Sequence, residues 1–200
     1  MIPRMNPTSR RALLRTGLAL PLSALPALAS AQAADVAASA LREGGVVIAL
    51  RHALAPGTFD PPGFTLDDCR SQRNLNDEGR AQAQRIGLWF QRQDLKPTRV
   101  RTSPWCRCRE TAKLAFGGAE AWPALGSPRG YTEQTHAEHL GLLRVTLAGV
   151  ARQRAGFEVW VTHMFVLSAL VQENASSGEG LVLRADGRGG VQVVARVAPA

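Results

Sequence analysis

Apolar and polar positions fall into blocks along this chain, and the sharpest block is residues 46–53, V-V-I-A-L-R-H-A. Five apolar residues end abruptly on Arg51 and His52, with Gly44 and Gly45 standing before them. A β-branched apolar run of this length, bounded by glycine, predicts a strand buried on both faces. F-E-V-W-V-T at residues 157–162 predicts another strand that ends on a histidine, His163. Val100 leads a shorter strand that stops at Ser103-Pro104, and residues 122–125 predict one more short strand. Helical patterns fill the intervals. One runs over residues 35–43. A second runs from Asp77 to about Gln93, with Asn76 able to cap it, Asp77 and Glu78 in its first turn and Pro97 beyond its end. A third runs from about Arg107 to Leu114 and is closed by Gly117-Gly118; a fourth covers residues 133–152. Residues 181–184 and 191–197 predict a hairpin around D-G-R-G-G. Residues 54–75 form a loop with Pro56, Gly57, Pro61, Pro62 and Gly63, and a loop of that length in a compact domain is usually functional. Strands alternating with helices predict an α/β fold: three layers, doubly wound, a mostly parallel sheet with helices on both faces.

The N-terminus reads differently. Ser9-Arg10-Arg11-Ala12-Leu13-Leu14 is a twin-arginine pattern ahead of an apolar stretch that reaches Ala29. Pro21 and Pro26 interrupt that stretch, and Ala31-Gln32-Ala33 offers a small-residue cleavage site. Residues 1–33 are therefore expected to be a targeting segment, and residues 34–200 one domain in the periplasm or outside the cell. No other stretch is long enough to span a bilayer. The 200 residues carry a net charge of +8, half of it from Arg4, Arg10, Arg11 and Arg15 in the first 33 residues, which hold no acid. What remains is too mild for a nucleic-acid footprint, though it favours the approach of an anionic small molecule.

In open α/β sheets ligands bind beyond the carboxyl ends of the strands. Leu50-Arg51-His52, Val161-Thr162-His163 and Ser103 through Arg107 would meet there if their strands are parallel neighbours. Such a pocket pairs guanidinium forks, which match phosphate geometry, with a neutral imidazole able to attack phosphorus.

The motifs resemble those of the histidine phosphatase superfamily, the phosphoglycerate-mutase-like fold. Arg51-His52 matches its R-H signature, and Ser103-Pro104 through Arg107 to Thr111-Ala112 matches S-P-x-x-R-x-x-x-T-A. Thr162-His163 matches its late S/T-H, and Leu75 through Ala83 is similar to L-T-x-x-G-x-x-Q-A. The resemblance implies His52 as nucleophile, with Arg51, Arg107 and His163 binding the phosphoryl group. It implies no metal and no organic cofactor. Two departures stand out. Ala53 replaces the usual glycine, and Ser127 stands where larger members carry a glutamate proton donor. Glu133 is the nearest candidate for that acid, its alternative being a first-turn glutamate favoured by the helix dipole. Arg73 is a candidate substrate ligand from the long loop. The expected activity is an exported phosphomonoesterase acting on a phosphorylated small molecule, such as a sugar or lipopolysaccharide heptose phosphate. Two alternatives remain: a phosphoramidate or phosphohistidine phosphatase working without a general acid, and a non-catalytic phosphoryl-binding protein.

The remaining reactive residues read as structural. His136 and His139 have metal-ligand spacing but no clear third ligand, so a solvated helix face fits better. Cys69 could bridge to Cys106 or Cys108 in an oxidising compartment, leaving one thiol free. A cysteine nucleophile is disfavoured because Cys106-Arg107-Cys108 lacks a phosphate-cradling loop.

Overall fold

The computed structural model describes residues 25–199. The twin-arginine pattern and most of the apolar stretch after it lie outside the described residues. Helix α1 (Leu25–Glu43) is followed by β1 (Val46–Arg51), α2 (Asp77–Arg92), β2 (Arg99–Thr102), α3 (Cys106–Phe116) and β3 (Glu120–Ala121). Then come α4 (Glu133–Gln153), β4 (Phe157–Thr162), α5 (Met164–Val171), β5 (Gly180–Ala185) and β6 (Val191–Val197). The six strands form one sheet in the order β3-β2-β4-β1-β5-β6. β3, β2, β4 and β1 run parallel; β5 is antiparallel to β1, and β6 to β5.

Strand alternation divides the core between the two faces. Val46, Ile48 and Leu50 pack with Val159, Val161 and the apolar sides of α1, α2 and α3. Val47 and Ala49 pack with Trp160, Leu181 and the buried residues of α4 and α5. The expected three-layer α/β architecture is the one observed. Asn76 caps α2 by accepting from the Gly79 amide at 2.8 Å.

Three elements differ from the sequence-based expectation. α1 reaches back past Asp35 to Leu25, the first described residue, because alanine-rich sequence propagates a helix. The strand expected at residues 122–125 lies earlier, at β3. The Trp122 amide makes the last ladder bond to Thr102 O at 2.8 Å. Pro123 has no N–H to continue the ladder, so Pro123–Leu125 is a 3₁₀ turn. α5 was not expected, because M-F-V-L-S-A-L-V is apolar on nearly every side and shows no helical stripe.

Register places the functional strand ends side by side. Arg51 is level with Thr162 in the β1–β4 pair, and Thr102 is level with Val161 in the β2–β4 pair. The His52 amide donates to Thr162 O at 3.0 Å and the Ser103 amide to Val161 O at 2.9 Å.

Candidate active site

The three strand ends open into a cavity of about 70 Å³ lined by Arg51, His52, Arg73, Arg107 and His163, with Asp60 and Ser127 beside them. His52 is 2% exposed. Its Nδ1 lies 2.7 Å from Ala53 O, a carbonyl that can only accept, so Nδ1 carries the proton and Nε2 keeps a lone pair. Arg73 Nη2 lies 3.4 Å from that Nε2. Burial, with the charges of Arg107, Arg73 and Arg51 added, holds the His52 imidazole well below the usual histidine range.

His163 is 3% exposed and its ring meets that of His52 edge-on, the centroids 5.5 Å apart. Arg107 Nη2 donates to its Nδ1 at 3.3 Å, which leaves Nε2–H to donate to Ser103 Oγ at 2.7 Å. Burial first, then the neighbouring His52 and arginines, keeps it uncharged as well.

The arginines are anchored at one edge and open at another. Arg51 Nη1 donates to Ala175 O at 2.9 Å, and Arg73 Nη1 donates to Ala55 O. Arg107 Nη1 donates to Asp60 Oδ1 at 2.7 Å and to Arg73 O at 3.3 Å. The Nε atoms of all three are buried without a hydrogen-bond partner among the described residues. The three arginine side chains line one cavity, a lining that suits a tetrahedral oxyanion. Partial burial lowers the Arg73 guanidinium to about 10, so it stays charged at neutral pH.

The surrounding motif residues have physical tasks. A Cβ on Gly79 would stand 1.9 Å from Leu54 O, so only glycine lets α2 pack against the chain leaving His52. Gln82 Oε1 accepts from the Leu54 amide at 2.9 Å while its Nε2 donates to Ser177 O at 2.8 Å. Thr111 Oγ1 accepts from the Ala53 amide at 3.0 Å and donates to Arg107 O at 2.7 Å, tying the loop after His52 to α3. Ala53 is not among the non-glycine residues with positive φ, so its methyl costs nothing there.

Two placements depart from expectation. Glu133 lies exposed in the first turn of α4, outside the cavity lining. Thr132 caps that turn by accepting from the Thr135 amide, so the glutamate serves the helix end. Ser127, at the position of the expected acid, does line the cavity. The carboxylate that is present, Asp60, escaped sequence reasoning: nothing in the pattern separates it from Asp67 and Asp68 in the same loop. It accepts from Arg107, from the Arg73 amide at 3.0 Å and from Trp105 Nε1 at 3.2 Å. Disulfide Cys69–Cys106 ties its loop to the start of α3. Cys108 stays free, and burial pushes its thiol up to about 12, which removes it as a nucleophile. No group of three His, Cys, Asp or Glu side chains among the described residues is placed to hold a metal ion.

Residues 67–126, which include Arg73 and Arg107, match the family model "Histidine phosphatase superfamily (branch 1)". Over that stretch the chain resembles the histidine phosphatase superfamily. A phosphoric monoester hydrolase is the enzyme class that goes with this family and this cavity. The fold is similar to that of the protein histidine phosphatase SixA complexed with tungstate (TM-score 0.53, 18% identity, 77% of this chain and 97% of that one). It is also similar to the alpha-ribazole phosphatase from Shigella flexneri (TM-score 0.56, 13% identity, 78% and 97%). A putative alpha-ribazole-5'-P phosphatase from Escherichia coli str. K-12 substr. MG1655 is a further likeness (TM-score 0.56, 12% identity, 78% and 98%). At these identities the likeness shows the phosphoglycerate-mutase-like fold. No curated protein matches the chain by sequence.

Proposed function

We propose that this protein is an exported histidine phosphatase that hydrolyses a small phosphorylated molecule through a phosphohistidine at His52. The observation that carries this reading is the His52 Nδ1–Ala53 O bond, which leaves Nε2 unprotonated beside Arg73 and close to Arg51 and Arg107. The Nε2 lone pair forms the N–P bond as the P–leaving-group bond breaks, and Arg51, Arg73 and Arg107 spread the charge on the equatorial oxygens. Water then attacks phosphorus, the N–P bond breaks, and inorganic phosphate leaves with His52 neutral again.

The acid side of the site narrows the substrate. Asp60 is the one carboxylate lining the cavity among the described residues, and its oxygens are already taken up by Arg107 Nη1, the Arg73 amide and Trp105 Nε1. This favours a leaving group that departs without a proton from the enzyme, such as an aryloxide or the nitrogen of a phosphoramidate. A sugar or lipopolysaccharide heptose phosphate is the substrate that export would suit, but its alkoxide would have to draw its proton from solvent. Export is supported by the twin-arginine pattern at Arg10-Arg11 and by Cys69–Cys106, since disulfides persist in oxidising compartments.

Rapid quench with phosphorus-labelled p-nitrophenyl phosphate tests the central step. Acid-labile, base-stable label on the wild-type protein is expected, with none on His52→Ala and turnover abolished. Label that survives acid, or full activity in His52→Ala, would overturn the mechanism. Phosphate binding without any turnover would instead identify a phosphoryl-binding protein.

A further inference from the structure

The cavity holds about a phosphoryl group and little more, so whatever the phosphorus is attached to must lie at its mouth. The mouth is built from Phe59 on the long loop, Arg129 on the turn before α4, and Met164 and Phe165 at the start of α5. The Phe59 and Phe165 rings are parallel within 7°, their centroids 6.3 Å apart. Arg129 lies over the Phe59 ring, its guanidinium carbon 3.5 Å from the centroid, and it makes no ion pair with a carboxylate among the described residues. Phe59 is 48% exposed, a large apolar side chain left open to solvent beside a phosphate-sized hole. Nothing in the hydrophobic core accounts for it there. The neutral hydrogen-bonding side chains at this mouth are those of Thr58 and Ser127, a thin supply for reading a polyhydroxylated group.

We infer that Phe59, Phe165 and Arg129 form the leaving-group subsite and select substrates whose phosphoryl group is attached to a planar aromatic group. Aromatic faces and a guanidinium plane favour a flat ring over a flexible chain of the same charge, because the ring pairs with them at little entropic cost. This rests on the phosphatase reading for its biological meaning, and it agrees with a site whose one lining carboxylate among the described residues, Asp60, is already bonded to three donors. Three elements distant in sequence supply the subsite, and α5, invisible in the pattern of the chain, supplies one of its rings.

Phosphonates test the subsite without any bond breaking. Benzylphosphonate and propylphosphonate carry the same headgroup, and their affinities for the full chain can be read by isothermal titration calorimetry. The wild-type protein is expected to bind benzylphosphonate about tenfold more tightly, a preference that falls below about twofold in Phe59→Ala and in Arg129→Ala. Phe59→Tyr, which restores a flat ring at an exposed position, should keep most of it. Equal affinities in the wild-type protein, or an unchanged preference in Phe59→Ala, would overturn the subsite. Failure of the phosphatase reading would look different: no turnover of p-nitrophenyl phosphate and no labelled His52, with the phosphonate preference intact.

Discussion

Two buried imidazoles kept uncharged among arginines make a measurable pH signature. The folded protein disfavours the protonated forms of His52 and His163, through burial first and neighbouring charge second. In the unfolded chain both rings titrate near the ordinary value of about 6.5. Below that pH the unfolded state takes up protons that the folded state refuses, so the stabilising contribution is complete above about 6.5 and is lost as pH falls. The slope is about 1.4 kcal/mol per pH unit for each ring. Urea unfolding at pH 6.5 and 5.5 should show wild-type protein losing about 1 kcal/mol more than His52→Ala over that unit, because the unfolded ring is already half protonated at 6.5. Equal losses would mean that His52 is protonated in the folded state. Nuclear magnetic resonance titration of the histidines gives the same answer directly, with both site rings still neutral at pH 6.

At the scale of elements, the long loop is held to the sheet by few but specific ties. Gln72 Oε1 accepts from the Cys106 amide at 2.9 Å, Asp60 bridges to Arg107 and Trp105, and Cys69–Cys106 closes the loop covalently. A crosslink spanning 37 residues restricts the unfolded chain by roughly 3–4 kcal/mol. Cys69→Ser should therefore lower the melting temperature by about 10 °C. It should also raise KM more than it lowers kcat, because Arg73 and Phe59 ride on the freed loop. Thiol counting on denatured, unreduced protein should find one thiol, Cys108; three would sink the bridge. These ties also show what the chain displays as sequence. β1, β4, α2 and the Asn76 cap were legible because each imposes a periodicity or a capping residue on its own segment. His52, Arg51, Arg107 and His163 were legible through their strand ends and motifs, and the parallel register brings them together. β3 slipped because one missing N–H, at Pro123, decides where a ladder stops. Asp60, Phe59 and Arg129 were hidden because their neighbours come from loops, whose mutual placement leaves no periodic trace. Glu133 misled because a first-turn glutamate looks the same whether it serves catalysis or a helix dipole.

For the molecule as a whole, the export proposal and the fold meet at α1. Its first described buried side chain is Ala37, followed by Ala38, Ala40 and Leu41, all packed on the sheet beside β1, whereas Gln32 and Ala33 are exposed. Cleavage after Ala33 would leave every one of those core residues on the mature chain. It would cut α1 only where its described side chains face solvent. No helix among the described residues is long and apolar enough to cross a membrane. If the export proposal holds, cells producing the chain should release a protein into the periplasm whose N-terminal sequence starts at Ala34. The mature protein should carry an intact Cys69–Cys106 bridge, and trimming should change its urea midpoint little. Replacing Arg10 and Arg11 together by lysine should strand the chain in the cytoplasm, with Cys69 and Cys106 reduced, because the paired arginines are the feature a twin-arginine route reads. Unchanged periplasmic yield from that double variant would rule the route out. A mature N-terminus beyond Ala37 would be incompatible with this core, since it would remove part of the helix that covers β1.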